Sequence, residues 1–193
     1  MKLAKVHLTS TSVYSQSRHY EVDKERSETH EDYDLRTWRH RMHVNEEGYV
    51  YIPPMAFKNC LSESAQYLQI KIPGKRGATF KAKFESGILI ADPLVLPIKA
   101  MDVAKERLFV PADGRRGGST RVWRNFPIIP SWSGVLLVYV LDEIINQEIF
   151  TEHITWAGRV IGIGRFRPAK NGFYGRFKVD RIEWLDVALD AAA

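Results

Sequence analysis

The residues best suited to chemistry lie near the end of the chain, in positions 158–178, Gly-Arg-Val-Ile-Gly-Ile-Gly-Arg-Phe-Arg-Pro-Ala-Lys-Asn-Gly-Phe-Tyr-Gly-Arg-Phe-Lys. Five glycines, interleaved arginines, lysines and aromatics, and no acid fall within this stretch. Cations neutralise phosphates and aromatic rings stack on bases, so the mixture points to a nucleic acid. Glycine lets a backbone approach a ligand closely. The plainer alternative is a glycine-softened turn between a helix and a strand, its basic side chains solvated. A second set of residues could move protons: His19, His30, His40 and His43, beside the acidic run Glu21, Asp23, Glu25, Glu28, Glu31, Asp32 and Asp34. Histidine suits general acid or base catalysis near neutral pH. In so polar a stretch, solvated histidines are the competing expectation.

Other chemistries find little support. The only cysteine is Cys60, so no intrachain disulfide and no cysteine-rich zinc site can form, which suits a reducing cytoplasm. Cys60 lies on the apolar stripe of an expected helix and reads as core. His40 and His43 are three apart, but a zinc site needs further ligands. No phosphate-binding G-x-x-x-x-G-K-[ST] sequence occurs, and Gly162-Ile-Gly-Arg-Phe-Arg lacks the third glycine of a dinucleotide fingerprint. Gly74-Lys-Arg-Gly77 and Gly114-Arg-Arg-Gly117 have the G-x-x-G spacing of KH domains without a helix on either side. No cofactor or metal is implied. The start of the chain does not read as a signal peptide, and no apolar run approaches the roughly 18 residues of a membrane span.

Elements that could position these residues follow from periodicity. Residues 2–9 alternate as a half-buried strand. A long polar excursion, about 10–48, separates them from the extended run Tyr49-Val-Tyr-Ile-Pro-Pro54, whose prolines can open a helix over 55–69 with Phe57, Leu61, Ala65 and Leu68 on one stripe. Residues 71–84 read as a basic, acid-free loop carrying Lys75 and Arg76. Residues 86–97 resume a strand in which Pro93 marks a bulge or an edge position. A second excursion, 98–131, carries the acid-free tip 114–126. Residues 133–141 form a β-rich central strand. Asn146 caps a helix with Phe150, Ile154, Ala157 and Ile161 on one face. The glycine-rich stretch then leads to a last strand, where the alternation slips between Val179 and Ile182 and a bulge is expected. Residues 185–193, ending in three alanines, read as a flexible tail.

The order is strand, helix, strand, strand, helix, strand: an α+β fold with a ferredoxin-like (RRM-like) β-α-β-β-α-β core and two long insertions. With 193 residues the chain fits one domain, and a net charge of +5 with a pI near 9.3 favours an anionic partner without identifying it.

Three segments resemble those of RAMP proteins, in particular the backbone subunits that hold the guide RNA in CRISPR effector complexes. Tyr51-Ile-Pro-Pro-Met-Ala-Phe-Lys-Asn-Cys-Leu61 resembles the family's I-P-G-S-S-L-K-G entry into its first helix, although Pro54 and Met55 stand where Gly and Ser are favoured. Asn125-Phe-Pro-Ile-Ile-Pro-Ser-Trp-Ser-Gly-Val-Leu-Leu137 resembles the approach to the third core strand. Ile161-Gly-Ile-Gly-Arg-Phe-Arg-Pro-Ala-Lys-Asn-Gly-Phe-Tyr-Gly-Arg-Phe177 resembles the signature glycine-rich loop. The resemblance implies a single RAMP-like domain over 1–193 that is cytoplasmic and non-catalytic. It would bind single-stranded, guide-like RNA and work beside other effector subunits or copies of itself, with no membrane partner. The implied RNA contacts are Lys58, Lys75, Arg76, Arg115, Arg116, Arg121, Arg124, Arg165, Arg167, Lys170, Phe173, Tyr174 and Arg176, with Trp123 as a wedge on a mobile finger. Two other readings stay open: a metal-independent RNA endonuclease using His19, and a protein–protein module that docks on or mimics an effector subunit.

Overall fold

The computed structural model describes residues 1–114 and 117–187. In chain order the strands are β1 (Lys2–Ser10), β2 (Tyr49–Ile52), β3 (Ile88–Leu89), β4 (Leu94–Lys99), β5 (Ala104–Pro111), β6 (Arg121–Ile128), β7 (Ser133–Val140) and β8 (Phe177–Asp186). The α-helices are α1 (His30–Thr37), α2 (Pro54–Leu68), α3 (Lys81–Ser86) and α4 (Gln147–Trp156). Arg115, Arg116 and the tail beyond residue 187 lie outside the described residues, whereas Leu185 and Asp186 belong to β8.

The fold is mixed α/β with antiparallel sheets. The main sheet runs β3-β7-β1-β8, and β2-β4 and β5-β6 each make a two-stranded sheet. In β1, Ala4, Val6 and Leu8 are buried, and they share one apolar cluster with Leu136, Val138 and Val140 of β7. Helices α2 and α4 add Phe57, Leu61, Phe150 and Ile154 to the same cluster, so both helices cover one face of the sheet. Each large side chain buried there contributes roughly 1.5–3 kcal/mol. Local signals set the helix ends. Pro54 opens α2, and Gln69 closes it in a left-handed conformation at φ 50°. The Asn146 side chain accepts the Ile149 N–H at 2.9 Å and starts α4, as the sequence predicts. The expected slip in β8 is a bulge: His7 pairs with Arg181, Leu8 pairs with Val179, and Asp180 is left over.

Three expectations give way. Residues 86–97 do not form one strand. Proline has no N–H for the ladder, and at Asp92-Pro93 the chain bends, leaving β3 on the main sheet while β4 pairs with β2. The basic segment 71–84 is not loop throughout, because Lys81 opens α3. The first excursion is not merely polar: it folds as α1 and a 3₁₀ turn, and it buries Tyr14, Trp38 and Met42. Among the described residues no helix is long and apolar enough to cross a membrane, and no group of three or more His, Cys, Asp or Glu could hold a metal ion.

Candidate nucleic-acid groove

The glycine-rich stretch closes on itself. A β-carbon added at Gly158 would come within 3 Å of Phe177, at Gly162 of Pro168, at Gly164 of Ser15 and Tyr14, at Gly172 of Phe166, and at Gly175 of Ile163. The bare backbones therefore face the protein, not a ligand. Ile163 donates to the Gly175 carbonyl at 3.0 Å and Tyr174 to that of Phe166 at 3.0 Å. Two more bonds fasten the loop to the segment after β1: Arg165 N–H to Ser15 O at 2.8 Å and Gly175 N–H to Val13 O at 2.7 Å. Only glycine permits this density, so the motif builds a rigid platform whose side chains, not backbone, are left to act.

Two of its arginines are spent on that platform. Arg167 makes a two-pronged ion pair with Glu63 of α2, at 2.6 and 2.9 Å, and Arg176 donates to the carbonyls of Arg159 and Phe173. Arg165 is different. Its guanidinium lies 3.5 Å from the centre of the Phe126 ring on β6, and its Nη1 is buried without a hydrogen-bond partner. Burial, aided by the nearby Arg41 cation, pushes its pKa below the usual arginine value, while Tyr174 and Glu106 oppose that shift. A buried guanidinium N–H without an acceptor is costly.

Arg165 stands between two hollows. The larger, about 670 Å³, is lined by Arg41, Arg121, Arg124, Arg165, Lys170, Phe126 and Phe166, with the tip of the β5–β6 ribbon on its far side. Among its described lining residues Asp113 is the one acid. The smaller, about 260 Å³, is lined by Arg18, His43, Pro53, Ala56 and Gly164, and shares Ser17 and Arg165 with the first. Together they make a basic groove from the ribbon tip to the start of α2. Burial, with help from Arg18, lowers the pKa of His43 and favours its neutral form.

The β5–β6 ribbon forms one wall. It is anchored at β6, where Asp34 accepts from Arg41 Nη2 at 2.6 Å, from the Asn125 N–H at 2.6 Å and from Asn125 Nδ2 at 2.7 Å. Arg41 also reaches the Asn125 carbonyl at 3.0 Å. Tyr174 OH donates to Glu106 of β5 at 2.7 Å, and burial followed by that carboxylate pushes the Tyr174 pKa up to about 12. Strand alternation puts Glu106, Arg124 and Phe126 on the groove side and Phe109 and Trp123 on the other. These last two pair across the strands with ring centres 5.1 Å apart, half exposed, beside Arg107 and Arg121. Trp123 is thus an exposed cross-strand aromatic.

Of the expected contact residues, the structure brings Arg124, Arg165 and Lys170 together in one groove, with Arg121 at its rim and its guanidinium 5.9 Å from the Phe109 ring. Phe173 and Tyr174 pack edge-to-face at 4.7 Å on the loop. Lys58 is elsewhere engaged, its ammonium donating to the Phe84 and Glu85 carbonyls at 2.7 and 2.9 Å and so closing the end of α3. Lys75 and Arg76 are exposed at the opposite end of the main sheet: Lys75 acts on Asp142, which follows β7, whereas the groove adjoins the start of β7. The span of β1 separates the two ends, roughly 25 Å. His19 is exposed, with Glu21 at 3.5 Å, and His40 lies against Tyr20. Sequence reasoning missed Arg41, Phe126, Glu106 and Phe166. The run Arg165-Phe-Arg167 was a signal for Phe166, but the others are joined to the loop only by tertiary pairing.

No protein-family model matches the sequence, and no curated protein matches it. Solved structures do. A chain in a cryo-EM structure of the type III-B Cmr-beta bound to cognate target RNA superposes with a TM-score of 0.57 at 11% identity, over 97% of this chain and 61% of that one. The protein thus spans 61% of the length of that chain. Cmr6 from Pyrococcus furiosus gives a TM-score of 0.49 at 11% identity, over 93% of this chain and 99% of Cmr6. At such identity the first match establishes a shared fold.

Proposed function

We propose that this chain is a non-catalytic, largely sequence-independent RNA-binding subunit of an RNA-guided, CRISPR-type or related ribonucleoprotein assembly. The observation that carries the reading is the groove, where Arg41, Arg124, Arg165 and Lys170, with Arg121 at the rim, surround a cleft holding one acid among its described lining residues. Side chains of this kind fit phosphates, which give affinity and salt dependence but no base preference. The likeness in fold to a chain of an RNA-bound Cmr assembly supports RNA and other subunits as partners. The order β3-β7-β1-β8, with α2 and α4 on one face, supports a ferredoxin-like core. On this reading the ribbon is the finger and Phe109 with Trp123 its aromatic tip face.

The test is titration of a fluorescent, unstructured 20-nucleotide RNA from 50 to 300 mM KCl. About four neutralised phosphates give a slope of log affinity against log salt near −3. Binding that is weak and flat with salt rejects the proposal. Recovery of cut RNA that stays intact with His19→Ala would move the assignment to the nuclease.

A further inference from the structure

Among the described residues that line the larger hollow, Phe166 is the one bulky side chain whose backbone is held in the left-handed region. Its φ is +57°, in the left-handed region that glycine and asparagine enter readily and phenylalanine seldom does. A loop needing only that turn would be served better by glycine. The conformation is nevertheless enforced. Tyr174 donates to the Phe166 carbonyl at 3.0 Å, and Gly172 lies so close against the same peptide that any side chain there would collide with it. What the strain achieves is placement: the ring is 44% exposed and lines the larger hollow. It is steadied by edge-to-face contacts with Phe173 at 5.4 Å and Tyr174 at 5.6 Å. The Arg165 guanidinium is 5.8 Å from the ring centre.

We infer that Phe166 is a base-stacking residue, and that the groove therefore selects a single strand with an unpaired base over a duplex. The inference rests on the RNA reading above and narrows it. Backbone strain of this sort gathers where a side chain must be presented to a ligand. An exposed phenylalanine adds little to a core, but its π-face accepts any nucleobase. Arg165, whose side chain lines both hollows, stands next to it to take the adjoining phosphate. Bases within a duplex are stacked on both faces and offer no free face to such a ring.

The experiment compares wild type, Phe166→Gly and Phe166→Trp by fluorescence anisotropy. The probes are a labelled ten-nucleotide oligouridine, an abasic RNA backbone of the same length, and a blunt RNA duplex. Wild type should prefer oligouridine to the abasic strand and the duplex by roughly tenfold, and Phe166→Trp should keep that preference. Phe166→Gly should bind oligouridine only as well as the abasic strand, with its affinity for the abasic strand unchanged. Its melting temperature should not fall, since glycine accepts the left-handed backbone; Phe166→Leu, which also removes the ring, gives the same comparison should the glycine variant misfold. Equal wild-type affinity for the oligouridine and the abasic strand overturns the stacking role and leaves the phosphate groove standing, as does unaltered oligouridine binding by Phe166→Gly. Wild type binding no RNA probe overturns both.

Discussion

Residues 71–84 and 158–178 are much alike in sequence: both basic, both punctuated by glycine, both without an acid. They have opposite fates. In the first, Gly74 and Gly77 have positive φ and nothing within 4 Å of where a side chain would project, so they serve an open turn. In the second, each glycine lies against another part of the protein. The first segment ends in α3, where Phe80 and Phe84 pack around His153 of α4, and its cations Lys75 and Arg76 remain solvated. The second is zipped to the segment after β1 and presents Arg165 and Phe166 to a cleft. Charge and glycine content propose a site; dense backbone closure against a second wall builds one.

The largest effect should come from Gly175→Ala, which sets a side chain against the Ile163 carbonyl at a φ of +72°. Urea unfolding should show a loss above about 3 kcal/mol. Gly77→Ala, with an equal φ problem but open space, should lose about 1–2 kcal/mol. Equal losses would erase the distinction between the two regions. Next, Arg165→Ala should weaken RNA binding about tenfold and flatten the salt slope by about 0.7, whereas Lys75→Ala with Arg76→Ala should alter affinity less than about twofold. A larger effect from the double variant would move the binding surface to the other end of the sheet.

The smallest effect concerns pH. His153 is fully buried, stacked at 4.2 Å on Phe84, with Nδ1 2.6 Å from the Ile149 carbonyl and Nε2 without a partner. Burial lowers its pKa, opposed by Ile149 and by Glu152. The unfolded chain therefore takes up the proton first, and stability should fall as pH drops below about 6.5. His153→Phe should remove that part of the slope. Hydrogen exchange at pH 5.5 should show α3 losing protection before the glycine-rich loop does.

Most of the core was legible because its signals are local. The apolar stripe Phe57, Leu61, Ala65 marks α2, Asn146 marks the start of α4, and even the slip at Asp180 shows in the alternation of β8. The groove was half legible. Arg165 and Lys170 stand out in composition, but nothing local separates Arg165, which faces the cleft, from Arg167, which Glu63 holds from a different helix. Residues 86–97 misled because the apolar halves on either side of Asp92-Pro93 look alike, and which sheet each joins is decided by tertiary pairing, Ile88 with Val140 and Leu94 with Ile52. The first excursion looked solvated because its decisive group, Asp34, is a buried acid whose partners Arg41 and Asn125 are 7 and 91 residues away.

That same acid makes the ribbon a lever. Beyond its anchor at Asn125 the paired strands run about 13 Å to Arg121, so a tilt of about 10° at Asp34 would carry that end about 2 Å. The fulcrum is polar and directional, three donors converging on one carboxylate, rather than a greasy joint that could slide. Asp34→Asn would keep the shape but leave Arg41 without its countercharge, loosening the pivot while sparing the blade. The wall of the groove is thus set in place from a carboxylate outside the groove's lining.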